Sequence, residues 1–231
     1  KILIHIPNDN EFMKRNFSTP VVLLGFTDRA GLATLRSLGQ YDNALEINIL
    51  TDNKYNLAQY SRYCSNIYHH TPLSNNLKKA SSEILKFLNA GRYFIIPMND
   101  SYLCWLCDYY DFLSKKHILP YFDKSSVEEI INKYNLIQKA EELGIHAPKT
   151  MYISRIKQLE NCCGEINYPC IIKPIISATK QNNQIIPLKV EKVDSYDELL
   201  MLAKLKLSHS PLLIQEFLPG TGHGVNIMAK A

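Results

Sequence analysis

Two lysines and one strand with a glycine-rich exit are the residues of this sequence best suited to bind a phosphate-bearing ligand. Lys133 lies in a stretch that predicts a helix, 125–144, and Lys173 ends an apolar strand. A later strand, 212–218, leads into a segment with glycines at 220, 222 and 224. Lysine ammonium groups bind phosphate as point charges, and backbone groups left open beyond a strand can pair with a planar base. The arrangement predicts a site that binds a nucleotide such as ATP.

Taken singly, each of these features has an ordinary structural explanation. A lysine on a helix is usually a solvated charge, and 212–218 can be an ordinary edge strand. The apolar stripe from Val127 to Ile137 places Lys133 at its edge, where the stem lies on the core and the ammonium reaches a cleft. The order of lysine helix, lysine strand, polar loop, helix and hinge strand is more specific than any one member, so it favours nucleotide binding.

Composition narrows the class of protein. The chain has 231 residues, of which 46% are hydrophobic and 21% charged, with a net charge of +4, as in a folded protein of one or two domains. No Lys/Arg cluster forms a nucleic-acid-binding stripe. No apolar run reaches the roughly 18 residues of a membrane helix, and no secretory signal pattern is seen at the amino terminus. We therefore expect a cytoplasmic protein without nucleic-acid or membrane partners.

The spacing of the cysteines also favours a cytoplasmic protein. All six are irregularly spaced, which predicts reduced thiols rather than a disulfide framework. Cys104 and Cys107 form a CxxC pair inside an apolar helical stretch, without a second pair at zinc-finger distance. We interpret them as buried structural thiols in preference to a redox or zinc site.

Alternating strands and helices in the first half of the chain predict an α/β fold with a doubly wound parallel sheet. The strands are expected at 21–24, 45–50, 93–97 and 117–119, and the helices at 29–38 (ending at Gly39), 75–89 and 102–114. Ligands bind such sheets beyond the carboxyl ends of the strands. The segment 25–29, Asp52 and Asn99–Asp100 should therefore share one rim.

The second half predicts a small α+β subdomain. Strands are expected at 150–153, 170–172, 185–190 and 212–218, with a polar loop at 177–184 and a helix that begins after Ser195. The loop contains no glycine, so a tight backbone nest for phosphate is not predicted there.

At this level of detail the sequence resembles the ATP-grasp superfamily, from Val21 onward. The motifs 22–25, 31–39, 60–64 and 97–100 resemble the preATP-grasp domain of predicted carboxylate–amine ligases. The motifs 132–133, 140–150, 171–174 and 214–220 resemble the entry, lysine and hinge of the ATP-grasp lid. The resemblance implies a Rossmann-like preATP-grasp domain at 1–122, a connecting helix and linker at 123–149, a lid at 150–218, and the start of a truncated large subdomain at 219–231.

The resemblance also implies roles for individual residues. Lys133 and Lys173 are expected to contact the ATP phosphates, with Thr179 and Lys180 as further donors from the loop. The hinge Glu216, Phe217 and Leu218 is expected to pair with adenine, and Gln215 to flank it. His223 would contact the ribose, or belong to a plain turn. The Mg²⁺ ligands are expected beyond residue 231, and none within the chain.

The function implied is ATP-dependent activation of a carboxylate as an acyl phosphate, which an amine then attacks. By position on the rim, Asp100 would bind the amine and Arg29 the carboxylate. A split carbamoyl-phosphate-synthase or carboxylase-type subunit and a nucleotide-binding module without catalysis are the alternatives. The partners expected are the small-molecule substrates and, in a homodimer, a second copy. We expect the chain to be inactive without the metal-binding segment.

Overall fold

The computed structural model describes residues 19–120 and 124–221, and the chain divides into two compact units. The first unit comprises Lys1–Val127 together with Lys180–Pro187, and the second comprises Glu128–Thr179 together with Leu188–Ala231. The division therefore falls inside the stretch expected to be a linker. It also assigns part of the expected lid to the first unit.

A parallel sheet forms the centre of the first unit. Its strands, in the spatial order β3–β2–β1–β4, are β1 Val21–Leu24, β2 Ile47–Thr51, β3 Asn66–His69 and β4 Phe94–Pro97. All three neighbouring pairs are parallel, which confirms the predicted class. We did not predict β3, because its sequence lacks an apolar run and its residues are mostly exposed. The strand predicted at 117–119 is reduced to one parallel bridge between Ile118 and Phe94.

Four helices lie wholly within the described part of the first unit: α1 Asp28–Tyr41, α2 Leu77–Asn89, α3 Asp100–Asp108 and α4 Tyr110–Leu113. The prediction that Gly39 ends α1 was wrong. Gly39 is a buried residue inside the helix, where a Cβ atom would collide with the Tyr63 ring. The helix predicted at 102–114 is divided between α3 and α4. Cys104 and Cys107 lie in α3, half-buried and buried respectively, and neither forms a disulfide bond.

The two central strands of the parallel sheet, β1 and β2, are buried on both faces. Every residue of β1 is at most 1% exposed. Val21 and Leu23 join a core cluster with Leu35 of α1, while Val22 and Leu24 point to the opposite face. A ligand can therefore reach these two strands only at their ends.

An antiparallel sheet forms the centre of the second unit, in the order β5–β10–β6–β9. The strands are β5 Thr150–Ile153, β6 Cys170–Pro174, β9 Glu191–Val193 and β10 Leu212–Glu216. The helices are α6 Lys133–Glu142, α7 Ile156–Asn161 and α8 Tyr196–Lys206, and α5 Lys124–Ile131 spans the division between units. One face is covered by Leu159 of α7 and by Leu199 and Ala203 of α8.

The predicted helix over 125–144 is two helices. Asn132 separates α5 from α6, and its side-chain oxygen accepts hydrogen bonds from the backbone N–H groups of Tyr134 and Asn135. Lys133 is therefore the first residue of α6, not a residue at the edge of one long stripe. Gly144 follows the end of α6 with a φ of 69°, as expected of a helix-terminating glycine.

The predicted polar loop at 177–184 is a β-hairpin, formed by β7 Ala178–Gln181 and β8 Gln184–Pro187. Asn182 and Asn183 form its turn with φ values of 48° and 61°. Asparagine tolerates this left-handed conformation, and two such residues in succession suit a tight hairpin turn. The Asn-Asn pair was thus a signal for a hairpin that our sequence analysis did not use.

Candidate functional site

The lysine face is the side of the antiparallel sheet that α7 and α8 leave uncovered. Directly paired residues of an antiparallel sheet lie on the same face. Lys173 of β6 pairs with Leu213 of β10, which pairs with Tyr152 of β5. Gln215 of β10 pairs with Ile171 and with Thr150. These six residues define the lysine face, on which only Leu213 is fully buried.

A chain of hydrogen bonds holds Lys173 in place. The Lys173 ammonium donates to Gln215 Oε1 at 2.7 Å, and Gln215 Nε2 lies 2.7 Å from Thr150 Oγ1. The Thr150 hydroxyl donates to the carbonyl oxygen of Pro148 at 2.7 Å. Since this hydroxyl hydrogen is committed to Pro148, Thr150 Oγ1 accepts from the Gln215 amide. The Gln215 oxygen is thereby turned toward Lys173.

The ammonium of Lys173 has a neutral partner and is partly desolvated. Burial lowers the pKa of Lys173 from its ordinary value, and no carboxylate among the described residues opposes that shift. A half-buried cation with an amide as its partner gains most from an incoming anion. The arrangement favours a ligand that carries negative charge.

Lys133 reaches the same sheet from the start of α6. Its backbone N–H donates to the carbonyl oxygen of Ile175 at 2.7 Å, and its ammonium donates to Ser177 Oγ at 2.8 Å. Ile175 directly follows β6, so both contacts tie α6 to the strand that carries Lys173. The rings of Tyr134 and Tyr152 pack with centroids 4.7 Å apart, which brings the start of α6 against the lysine face.

The hinge follows the end of β10 at Glu216. The Glu216 carboxylate accepts from the Lys149 N–H at 2.7 Å, and its own N–H donates to the Lys149 carbonyl at 3.0 Å. Phe217 and Leu218 lie beyond the strand, 39% and 61% exposed. The Lys192 ammonium lies 5.4 Å from the Phe217 ring centroid. The backbone after Glu216 is thus anchored at one end and open to solvent.

A small cleft of about 40 Å³ lies beside this hinge and is lined by Gln215 and Glu216. Met151 and Ile214 also line it, and both pack with the core on the covered face. Lys173 does not line the cleft. We place more weight on the lysine face, because its cations have the chemistry that an anionic ligand requires.

The two hairpin residues predicted to bind ATP, Thr179 and Lys180, belong to different units of the chain. Thr179 is in β7 at the end of its segment of the second unit. Lys180 belongs to the first unit, where its ammonium is 2.8 Å from Asp108 Oδ2 and the pairing raises its pKa. The role of Lys180 in nucleotide binding therefore stays a prediction, and its ammonium already has a carboxylate partner in its own unit.

The rim of the parallel sheet carries the predicted substrate residues. Arg29 in the first turn of α1 and Asp100 at the start of α3 are both exposed. Asn99 ties the rim together, because its amide donates to the Gly25 carbonyl at 3.0 Å while its oxygen caps α3. Our sequence analysis missed His70 and Tyr102, which lie beside Asp52 on this rim.

Comparison with known proteins identifies the fold. No family model matches the sequence. L-amino acid ligase from Bacillus licheniformis superposes with a TM-score of 0.60 at 15% identity, covering 90% of this chain and 45% of that structure. N5-carboxyaminoimidazole ribonucleotide synthetase from Thermus thermophilus gives 0.55 at 15% identity, covering 86% and 47%. The chain shares the fold of the part of these ATP-grasp ligases that it covers.

Two proteins with similar sequences are also ATP-grasp enzymes. D-aspartate ligase from Enterococcus faecium (strain Aus0004) is 26% identical over 145 residues, which are 59% of this chain and 34% of the relative. Formate-dependent phosphoribosylglycinamide formyltransferase from Wolinella succinogenes is 26% identical over 80 residues, 35% and 20%. The chain thus spans less than half the length of each protein compared here.

One predicted site residue lies outside the described residues. It is His223, the predicted ribose contact. Within residues 19–120 and 124–221, no group of three or more His, Cys, Asp or Glu side chains is placed to hold a metal ion. In the same residues, no helix is long and apolar enough to cross a membrane.

Proposed function

We propose that this chain forms the nucleotide-binding part of an ATP-dependent ligase that joins a carboxylate to an amine. ATP would supply a phosphoryl group to the carboxylate, giving an acyl phosphate that the amine attacks. The ATP-grasp fold supports the nucleotide, and the relatives that are ligases support the reaction class. The carboxylate and the amine of this chain are left open by these comparisons.

The observation that carries the proposal is the position of Lys173. Phosphoryl transfer requires little covalent chemistry from the protein, and depends on positioning and on stabilising negative charge. Lys173 is half-buried on the lysine face and is oriented by Gln215, and within residues 19–120 and 124–221 no carboxylate neutralises it. Lys133, held by Ser177 at the start of α6, would be the second phosphate contact.

The hinge would receive the adenine ring. The N–H of Glu216 is already bonded to Lys149, so we assign base pairing to the backbone of Phe217 and Leu218, beyond the end of β10. Gln215 would flank the ring and position Lys173 at the same time. The exposed Phe217 ring supplies apolar surface beside the base, and Lys192 lies over it.

The described residues do not by themselves fit a Mg²⁺ site. Mg²⁺ is usually held by one or two carboxylates together with substrate phosphates. We therefore derive no step through the metal and propose only that it accompanies the nucleotide. On the rim of the first unit, Asp100 and Arg29 stay our proposed contacts for the amine and the carboxylate.

A nucleotide-binding module without catalysis is a second candidate, and the hairpin is the observation that favours it. In place of an open glycine-rich loop, β7 and β8 are closed by the Asn182–Asn183 turn, and Lys180 is paired with Asp108. A phosphate would therefore find fewer donors here than the resemblance implied.

Trapping of an acyl phosphate separates the two candidates. The protein, purified together with its metal-binding segment, is incubated with ATP, Mg²⁺ and single carboxylates from a panel of amino acids and small acids, in the presence of hydroxylamine. Hydroxylamine converts an acyl phosphate into a hydroxamate, which is detected by mass spectrometry. We expect hydroxamate from one class of carboxylate, and its loss in Lys173→Ala. ATP binding without hydroxamate from any carboxylate would reject the ligase in favour of the module.

A further inference from the structure

An open groove runs along one side of α2 in the first unit. Its lining comes from one face of α2, between Lys78 and Asn89, and from Tyr109, which directly follows α3. The groove has a volume of about 680 Å³, which is in the usual range for small-molecule sites, roughly 300–1,000 Å³. We call it the α2 groove. None of its lining residues has a role in the nucleotide site proposed above.

The floor of the α2 groove is held in place by Trp105. Ser81 is only 4% exposed, and its Oγ accepts from Trp105 Nε1 at 2.9 Å. Trp105 is itself fully buried, and the Tyr109 ring packs on it with centroids 4.8 Å apart. Two lining side chains, Ser81 and Tyr109, are therefore fixed by one buried indole, so the shape of the floor is set before a ligand arrives.

The buried hydroxyl of Ser81 still has a hydrogen to donate. A serine hydroxyl carries one hydrogen and two acceptor lone pairs, and the bond from Trp105 uses only a lone pair. Among residues 19–120 and 124–221, no acceptor receives the Ser81 hydrogen. Because Ser81 is buried and lines the groove, its acceptor has to come from whatever fills the groove. Water or a ligand oxygen can fill that role, so the charge of the ligand is decided by the lysines.

Lys78 and Lys86 give the α2 groove a positive charge that no described carboxylate neutralises. They are eight residues apart on α2, about 12 Å along the helix axis, and neither forms an ion pair within the described residues. The two carboxylates next to lining residues in sequence are already engaged. Glu83 accepts from a backbone N–H at 2.6 Å, and Asp108 lies 2.8 Å from the Lys180 ammonium.

We propose that the α2 groove binds a small molecule that carries two or more linked phosphate groups. Phosphate oxygens accept hydrogen bonds from lysine ammonium groups and from the hydroxyls of Ser81 and Ser82. A single phosphate cannot lie close to cations two helical turns apart, whereas a chain of phosphates can reach both. The site does not rest on the proposed function, because α2 belongs to the first unit and the lysine face to the second.

The fluorescence of Trp105 tests the site without ATP or Mg²⁺. Trp105 is the one tryptophan of the sequence, and it touches both Ser81 and Tyr109 on the groove floor. Inorganic tripolyphosphate is the probe, and the ionic strength is held constant so that general screening does not change. We expect tripolyphosphate to change the Trp105 emission with saturation. Orthophosphate should bind about tenfold more weakly or worse, because it cannot reach both lysines.

Three lysine variants distinguish the α2 groove from general surface attraction. Lys78→Gln and Lys86→Gln should each weaken tripolyphosphate binding about fivefold or more, since each removes a charged donor from an exposed site. Lys79→Gln is the matched control. It removes the same charge from the next position of α2, but Lys79 does not line the groove and its ammonium lies 4.0 Å from Glu83. Lys79→Gln should bind tripolyphosphate like the parent.

The Lys173→Ala variant separates this site from the nucleotide site. It should leave the response of Trp105 to tripolyphosphate unchanged. Loss of the response in Lys173→Ala would place the probe on the lysine face and overturn the proposal. It would also be overturned by an absent Trp105 response in the parent, by equal losses in Lys79→Gln and Lys86→Gln, or by orthophosphate binding as tightly as tripolyphosphate. Failure of ATP binding alone would leave it standing.

Discussion

The two sheets of this chain present different surfaces to a ligand. In the parallel sheet, successive residues of β1 are all at most 1% exposed, because both faces are covered. In the antiparallel sheet, Ile172 of β6 is fully buried while its neighbours Ile171 and Lys173 are half-buried. Functional groups therefore lie at the strand ends of the first sheet, and on the strands themselves in the second.

Paired alanine substitutions at adjacent positions test this comparison with the largest expected effect. Leu23→Ala and Leu24→Ala, on opposite faces of β1, should each lower the free energy of unfolding by about 2–5 kcal/mol, since both side chains are 0% exposed. In β6, Ile172→Ala should cost about as much, and Ile171→Ala less than about 1.5 kcal/mol. Urea titration followed by circular dichroism measures all four.

Similar costs for Ile171→Ala and Ile172→Ala would contradict the comparison, because the lysine face would then be as closely packed as the covered face. Unequal costs for Leu23→Ala and Leu24→Ala would also contradict the comparison, because the two faces of β1 would then not be equally well packed. The two units need not unfold together, so each variant is compared with the parent in the transition of its own unit.

The hairpin allows a second test of the two units. Its sequence lies between β6 and β9 of the second unit, but its tip belongs to the first unit. Asn183 accepts from the N–H groups of Leu77 and Lys78 at the start of α2, through its carbonyl oxygen at 2.7 Å and its side chain at 3.1 Å. Asn183→Ala should destabilise the first unit by about 1–2 kcal/mol, through the lost cap and the strain of alanine at positive φ.

Asn183→Gly is the control for that prediction, since it loses the side-chain cap and tolerates positive φ. It should cost less than Asn183→Ala. The fluorescence of Trp105, the one tryptophan of the sequence, follows unfolding of the first unit. Equal stability of parent and Asn183→Ala would show that the tip of the hairpin does not hold the start of α2.

A smaller effect is expected from Thr150, which acts on the lysine face through Gln215. Thr150→Val removes the acceptor for the Gln215 amide, so Gln215 is free to turn its oxygen away from Lys173. ATP affinity should fall about 2- to 12-fold, as for one neutral hydrogen bond. Thr150→Ser should restore it. An ATP affinity of Thr150→Val equal to that of the parent would show that Thr150 does not position Lys173 through Gln215.

The smallest effect concerns the pH dependence of the first unit. Burial lowers the pKa of His70 in the folded state, so below about pH 6.5 the unfolded chain takes up the proton more readily. Stability should therefore fall as pH falls from about 6.5 to the folded pKa, and then level off. His70→Gln should flatten this slope by at most about 1.4 kcal/mol per pH unit. An unchanged slope would show that His70 titrates alike in both states.

The order of elements and the position of Lys173 could be predicted from the sequence because both depend on local patterns. An apolar run followed by a lysine and a proline indicates a strand in isolation, and β6 extends over the predicted 170–172 and on to Pro174. The paired face could not be predicted, since the contact of Lys173 with Gln215 depends on register between strands far apart in sequence.

Other errors came from tertiary contacts that override local signals. Gly39 resembled a helix stop, but the Tyr63 ring requires a residue without a side chain inside α1. Asn132 resembled an ordinary helical position, but its side chain caps α6. His70 follows a strand whose residues are mostly exposed, so no apolar run indicated that it would meet Tyr102.

Calorimetric titration with ATP tests most directly whether the lysine face is the nucleotide site. Lys173→Ala is compared with Lys204→Ala, an exposed lysine of α8 on the covered side of the same sheet. Loss of a charge-assisted phosphate contact predicts about 10- to 150-fold weaker binding for Lys173→Ala, and no more than a small change for Lys204→Ala. Equal affinity of Lys173→Ala and the parent would contradict the account.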